Sequence, residues 1–341
     1  MTAPAATGFM VRGLGPGLAL SAAVAIAAVL SAPLVARIFP IPAMVIALII
    51  GIALSWLAER EAFRAGIAFS VRTLLRWEVA LLGLRISLGE IIALGLSTGL
   101  LIVVAMIATL VSGFLFARWL GQEDAYGALA GAGTAVCGAS ATLATSTVIP
   151  DYKGKAADVA FVVIAVNTLS TFAMVLYPPF CALLGLDTQS TGVMLGATIH
   201  DVAQVVGAGY AVSEPVGNTA VIVKLFRVFL LLPVVIGVGL WFSRAAHSAN
   251  VPIPVFAFVF LALCLINSLM PSLPILTPTY AAVKPVLVEL SAWGLLTAIG
   301  ALGLSTSLRA IGELGWRHVA TVIGTTAVIL VVVSAGLLVV R

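Results

Sequence analysis

The side chains that could do chemistry gather in two short polar stretches and one basic pair. His200, Asp201 and Gln204 fall on one helical face, because positions three and four apart are neighbours on a helix. They belong to a glycine-interrupted stretch running from Gly196 to Gly209. A second stretch, GAGTAVCGASAT from Gly131 to Thr142, supplies Thr134, Cys137, Gly138, Ser140 and Thr142. Lys224 and Arg227 stand three apart within TAVIVKLFRVFLLLP. Both polar stretches interrupt apolar sequence.

A carboxylate inside a bilayer is costly and is a functional hypothesis by default. Asp201 beside His200 could carry a proton, or Asp201 could ligate a cation together with backbone carbonyls. Helices broken at membrane depth aim free N–H groups and a positive dipole end at an anion. Hydroxyls at Thr134, Ser140 and Thr142 would add donors, and Gly138 would let a ligand approach the backbone. Two cations on one face would hold that anion or neutralise Asp201. Arg85, between Glu78 and Glu90, is a third buried-cation candidate, and Asn167, Thr168 and Thr171 could face the same cavity. Plain structural alternatives stand beside each reading. Small residues pack helices closely in bilayers, hydroxyls bond back to their own helix, cations snorkel to an interface, and a His-Asp pair caps a helix end.

Other chemistries fare worse. A triad of Ser140, His200 and Asp201 would place Asp201 directly after His200, a poor arrangement for orienting the ring, and no Gly-x-Ser-x-Gly elbow occurs. No Walker A motif occurs, and His247 and His318 fall in expected loops, too few ligands for a metal. Cys137, Cys181 and Cys264 sit in apolar sequence with no metal or disulfide spacing. Neither an enzyme nor a cofactor is expected, beyond a proton or sodium ion for coupling.

Composition decides what must position these groups. Of 341 residues, 62% are hydrophobic and 9% charged, against about 25% charged in soluble domains. The mean hydropathy is +1.22. Such a chain is an integral membrane protein in contact with lipid. Its net charge of +4 is scattered between apolar runs, which excludes a nucleic-acid footprint. The runs are too long for β-barrel strands, so the expected fold is an all-α polytopic bundle. Eleven apolar segments are read at 15–36, 41–58, 74–92, 95–118, 126–149, 157–181, 192–212, 219–243, 253–269, 285–307 and 316–340.

With eleven spans, Arg12, Arg60, Arg64, Arg72, Arg76, Arg118, Arg244, Arg309 and Arg317 share one side. Arg37, Lys153, Lys155, Lys284 and Arg341 share the other. Basic residues favour the cytoplasm, so a cytoplasmic N-terminus is expected. Arg60, Arg64, Arg72 and Arg76 lie at multiples of four, which suits either a basic-faced interfacial helix or a positive-inside loop.

The sequence also matches itself. LGLRISLGEI at 82–91 and LGLSTSLRAI at 302–311 agree at six of ten positions, and Pro40–Pro42 recurs as Pro252–Pro254. The offsets, 220 and 212, nearly agree. Spans seven crossings apart would lie in opposite orientations, so inverted repeats are expected, a transporter architecture. The layout is one membrane domain over 1–341, with repeat 1 at about 15–149, a central helix at about 157–181 and repeat 2 at about 192–340.

GAGTAVCGASATLA, IHDVAQVVGAGYA, AVIVKLFRV and LLRWEVALLGLRISL together resemble the YeiH-type family of bacterial inner-membrane proteins, labelled sulfate exporters. The resemblance covers nearly the whole chain. It implies kinship with the bile-acid, arsenite and riboflavin transporter superfamily, hence two crossing broken helices in a mobile core beside a panel domain. On that analogy Gly131–Thr142 and Gly196–Gly209 are the crossing helices.

The expected activity is secondary, alternating-access transport of a small anion such as sulfate or an organosulfonate. Thr134, Cys137, Gly138, Ser140 and Gln204 would contact it, Lys224 and Arg227 would supply charge, and His200 and Asp201 would couple protons or sodium. An anion channel and a membrane-embedded sensor or enzyme are the alternatives. Substrate, direction, coupling ion and any homodimer stay open.

Overall fold

The computed structural model describes residues 5–35, 43–242, 255–273, 277–306 and 315–339. Among these the chain is helical, with no strand. The α-helices are α1 (Ala5–Val35), α2 (Ala43–Ala53), α3 (Glu61–Phe69), α4 (Leu75–Leu81), α5 (Leu88–Ala93), α6 (Gly95–Trp119), α7 (Asp124–Ala135) and α8 (Ala139–Ser146). They continue as α9 (Lys155–Leu183), α10 (Thr188–Thr198), α11 (Val202–Val212), α12 (Glu214–Phe229), α13 (Leu231–Trp241), α14 (Val255–Leu269), α15 (Thr277–Ser305) and α16 (Trp316–Val339).

Seven helical runs among the described residues are long and apolar enough to cross a membrane. They are Gly13–Val35, Gly95–Trp119, Lys155–Leu183, Glu214–Trp241, Val255–Ser272, Thr277–Ser305 and Trp316–Val339. Each overlaps an expected segment. Of the other four segments, 41–58 is the short α2 followed by a 3-10 turn at Ser55–Glu59. Segment 74–92 is broken by a 3-10 turn at Leu82–Leu84. His318, expected in a loop, lies in the first turn of α16. Pro40–Pro42, Pro252–Pro254 and the 307–311 part of the second repeat lie outside the described residues, as do Arg37, Arg244, His247, Arg309 and Arg341.

The chain divides into two compact units, each drawn from two separate stretches of the sequence. One holds the described residues of Met1–Gly89 and Phe256–Ser307, the other those of Glu90–Val255 and Leu308–Arg341. In the first unit, glycines let backbones touch. A Cβ on Gly66 of α3 would lie 2.6 Å from the Cα of Gly17 on α1, and one on Gly51 of α2 would lie 2.8 Å from the Cα of Gly303 on α15. Without much hydrophobic drive between helices in lipid, such close approach is what holds them. A π-turn at Ser70–Leu74 joins α3 to α4. Along this run Arg60, Arg64, Arg72 and Arg76 are exposed, while Gly66, Ile67, Ser70 and Leu75 are buried.

The second unit corrects the expected crossing helices. Segments 126–149 and 192–212 each fold back as a helical hairpin. In the second hairpin, Cβ atoms added to Gly192 and Gly196 would meet first Val216 and Thr219, then Ala220 and Val223, so α10 runs parallel to α12. Along α11 the order reverses: the His200 carbonyl accepts from Lys224 Nζ, and Tyr210 packs on Gly217 and donates to Asn218 Oδ1 at 2.7 Å. In the first hairpin a Cβ on Gly133 would come 2.5 Å from Thr142 Oγ1. Nine residues along a continuous helix would separate them by about 13 Å.

Helix α16 shows from which end each hairpin enters. Tyr126 donates to the His318 carbonyl at 2.9 Å, and the Thr134 and Thr325 hydroxyls pair at 2.9 Å, so α7 runs parallel to α16. His200 Nε2 bonds Thr326 Oγ1 at 3.0 Å, and Ser334 Oγ reaches Met194 Sδ at 3.8 Å, so α10 runs antiparallel to it. The hairpins therefore approach from opposite ends of α16, and their tips meet beside Thr325 and Thr326, near the middle of this 24-residue helix.

This geometry predicts a labelling pattern that eleven crossings do not. On a background lacking native cysteines, Arg118→Cys and Lys153→Cys should react with an impermeant maleimide from the same face of the membrane. Asp187→Cys and Glu214→Cys should react from the opposite face. Labelling of positions 118 and 153 from different faces would restore 126–149 as a crossing.

Candidate functional site

A helix that stops inside a protein leaves its last carbonyls without intrahelical partners. Here α7 and α10 both stop at the tips, and the carbonyls at and beside their ends converge on α12. Arg227 Nε donates to Ala135 O at 3.0 Å, and Nη2 donates to Thr134 O and Ala135 O at 2.8 Å each. Its Nη1 donates to Gly196 O and Ile199 O at 3.0 Å each. Lys224 Nζ donates to Val136 O at 2.7 Å, to Ile199 O at 3.0 Å and to His200 O. A guanidinium has five N–H donors and an ammonium three, so every donor on both side chains is engaged. Both residues are fully buried. Sequence reasoning expected these cations to grip an anion directly or to neutralise Asp201; the hydrogen bonds they make run to backbone carbonyls of both hairpins.

The break between α10 and α11 is fixed from its other side as well. Ser170 of α9, fully buried, accepts from the backbone N–H of both His200 and Asp201 at 3.1 Å. Asp201 then caps α11, its Oδ1 accepting from the Ala203 N–H at 3.0 Å. A side-chain acceptor at this position satisfies one of the orphan donors of a helix start. The two breaks adjoin: a Cβ on Gly138 would lie 3.7 Å from His200 O and 3.9 Å from Asp201 Oδ2. Gly138 has φ +66° and ψ −122°, backbone that only glycine adopts readily.

All nine residues singled out as the expected site lie in or beside these tips, in different roles. Thr134 is fully buried, its hydroxyl paired with Thr325 and its carbonyl with Arg227. Cys137 is buried in the first break. Ser140 is half-buried in the first turn of α8, whose N-cap is Gly138 and whose Ala141 N–H meets the Cys137 thiol. Gln204 is fully buried; its Nε2 reaches Thr171 Oγ1 at 3.5 Å, and its Oε1 has no hydrogen-bond partner. His200 is buried, and Asp201 is half-buried. Thr142 bonds back to Gly138 O at 3.0 Å. Arg85, in the other unit, donates to Val288 O at 3.2 Å. Ser170, Thr325 and Thr326 were missed, and the adjacent threonines within an otherwise apolar span were the available signal. Among the described residues no cluster of His, Cys, Asp and Glu could hold a metal.

The arrangement therefore presents one helix start with a glycine N-cap, one half-buried carboxylate and two cations whose donors are committed to backbone. Comparison with known proteins places this membrane-embedded hairpin pair in a family. Residues 16–322 match the family described as Conserved hypothetical protein 698, and the chain belongs to it. This is the YeiH-type family that its motifs resemble. It is 41% identical to UPF0324 membrane protein CT0845 of Chlorobaculum tepidum over 86% of this chain and 81% of that one. It is 42% identical to UPF0324 membrane protein RB0971 of Rhizobium meliloti over 95% and 92%, and 40% identical to UPF0324 membrane protein TauZ of Paracoccus denitrificans over 94% of each. No solved structure matches the chain.

A structural role for the cations predicts a stability effect. Arg227→Lys removes two of the five donors at this node, and each unmet buried carbonyl costs about 1–3 kcal/mol. The purified variant in detergent should melt at clearly lower temperature even without any ligand. An unchanged melting midpoint would mean that the guanidinium is not what holds the tips.

Proposed function

We propose that this chain is a secondary transporter for a small anion, of the size and charge of sulfate or an organosulfonate. The observation that carries the reading is the meeting of two hairpin tips, entering from opposite ends of α16, at the middle of that helix. Hairpins entering from opposite ends are what inverted repeats in a carrier would produce. Non-helical backbone is tolerated at membrane depth where protein encloses it or a cavity needs it. The tips hold Lys224 and Arg227 against the single carboxylate of Asp201, an excess of positive charge that suits an anion. The start of α8, at Ala139 and Ser140 after the glycine N-cap, is the helix end that receives it. Thr134, Cys137, Gly138 and Gln204 shape that place, and Lys224 and Arg227 act on the anion through the field and through the backbone they hold. Asp201, next to His200, carries the coupling proton or sodium ion.

The charge at the two ends of the second unit supports an orientation for it. Lys153 and Lys155 join Arg118 and Arg317 at one end of the second unit, where His318 Nε2 lies 3.3 Å from Asp158 Oδ1 and Tyr152 donates to Asp158 Oδ2 at 2.9 Å. Among the described residues of that unit no Lys or Arg lies at the other end, which carries Asp187 and Glu214. The basic end is read as cytoplasmic.

Counterflow in proteoliposomes tests the function. Vesicles loaded with unlabelled sulfate and offered labelled sulfate should exchange saturably, with sulfonates competing if the pocket takes that class. Asp201→Asn should abolish gradient-driven uptake. Flux that neither saturates nor shows counterflow would make the protein a channel, and unchanged proton and sodium dependence in the variant would move the coupling site elsewhere.

A further inference from the structure

The first unit buries a carboxylate that none of this uses. Glu78 on α4 is 5% exposed, and its Oε2 is buried without a hydrogen-bond partner. It packs directly on Gly294 of α15, where an added Cβ would come 2.2 Å from the Glu78 Cδ and Oε1. Ser291, one turn earlier on α15, donates to the Glu78 backbone carbonyl at 3.0 Å and fixes the position. Gly294 is the eighteenth of the 29 residues of Thr277–Ser305, one of the membrane-length helices, so the carboxyl lies far from either end.

No charge on the packed elements answers it. On α15, Lys284 Nζ bonds Asn267 Oδ1 at 2.8 Å, Glu289 accepts from Trp293 Nε1 at 2.9 Å, and Tyr280 donates to Asn267 at 2.9 Å. Arg85, beyond the turn that follows α4, donates to Val288 O, while Arg72 in the π-turn and Arg76 on α4 are exposed. None forms an ion pair or hydrogen bond with Glu78 among the described residues. An isolated ionised carboxylate in such a place is far costlier than its neutral form, and the usual resolution is a proton. One carboxylate against a glycine supplies too few oxygens to hold a metal cation instead.

We propose that Glu78 is a proton-binding site in the first unit, loaded in the conformation described here and exchanging its proton during the working cycle. The glycine at 294 gives the carboxyl its seat, and the backbone bond to Ser291 keeps it there. This site is separate from Asp201 and does not depend on which anion is carried.

Infrared difference spectroscopy on the reconstituted protein tests it without any transport assay. The wild-type chain should show a protonated-carboxyl C=O band that disappears as pH is raised and is missing in Glu78→Gln. In proteoliposomes that variant should retain anion exchange but lose accumulation driven by a proton gradient. If Glu78→Gln fails to fold, Glu78→Asp should move both the band and its titration midpoint. A spectrum with no Glu78-dependent band, a band that does not respond to pH, or a response that follows sodium would each overturn the proposal. Because the band is read without substrate, failure of the anion-transport reading leaves this result intact, and the reverse also holds.

Discussion

Two helices end inside this protein, and the carbonyls at those ends must be met. That constraint organises the second unit. In water a helix end is hydrated at no great cost; within a bilayer-embedded bundle each unmet carbonyl is expensive. Lys224 and Arg227 meet it with eight hydrogen bonds shared between the two tips. Because one guanidinium bonds both α7 and α10, neither hairpin tip can shift alone without breaking bonds that hold the other. Ser170 completes the second break by accepting its two N–H groups.

The same pair sets the electrostatics. Burying two cations carries a large desolvation cost, which carbonyl dipoles and the negative ends of two helix dipoles offset only in part. On the proposed function, the charge of this pair, set against the carboxylate of Asp201, is what would draw an anion to the meeting point. A lysine whose donors are free would bind an anion by contact; here the donors hold backbone, and the backbone presents the start of α8. Position and charge thus come from one pair of side chains. Glu78 is the contrasting case, an acid seated on a glycine with no ion pair to a cation among the described residues.

Much of this was legible in the sequence, and the omissions have physical causes. The two polar, glycine-rich stretches and the cation pair, which stand out because polar groups within apolar runs are costly to bury, are the residues that meet at the hairpin tips. Seven of the eleven apolar segments appear as membrane-length helices. The error concerned path. A segment of about twenty apolar residues has the composition of a crossing helix whether it crosses or doubles back, since both bury the same side chains. Hydropathy therefore read 126–149 and 192–212 as spans. Ser170, a lone hydroxyl in α9, gave no pattern to find.

The sequence by itself determined that the chain lives in a membrane, is helical, and gathers polar groups within apolar runs near Gly131–Thr142, Gly196–Gly209 and Lys224–Arg227. Those properties are local: they depend on which side chains tolerate lipid and which residues break a helix. Tertiary structure alone decided that the two broken stretches are opposed hairpins, that the cations bond carbonyls rather than stand free, and that Glu78 rests on Gly294. These outcomes depend on which distant carbonyl or glycine a side chain meets. Residues 88 to 93 positions apart in sequence share a hydrogen bond here, and no short-range pattern encodes such a pairing.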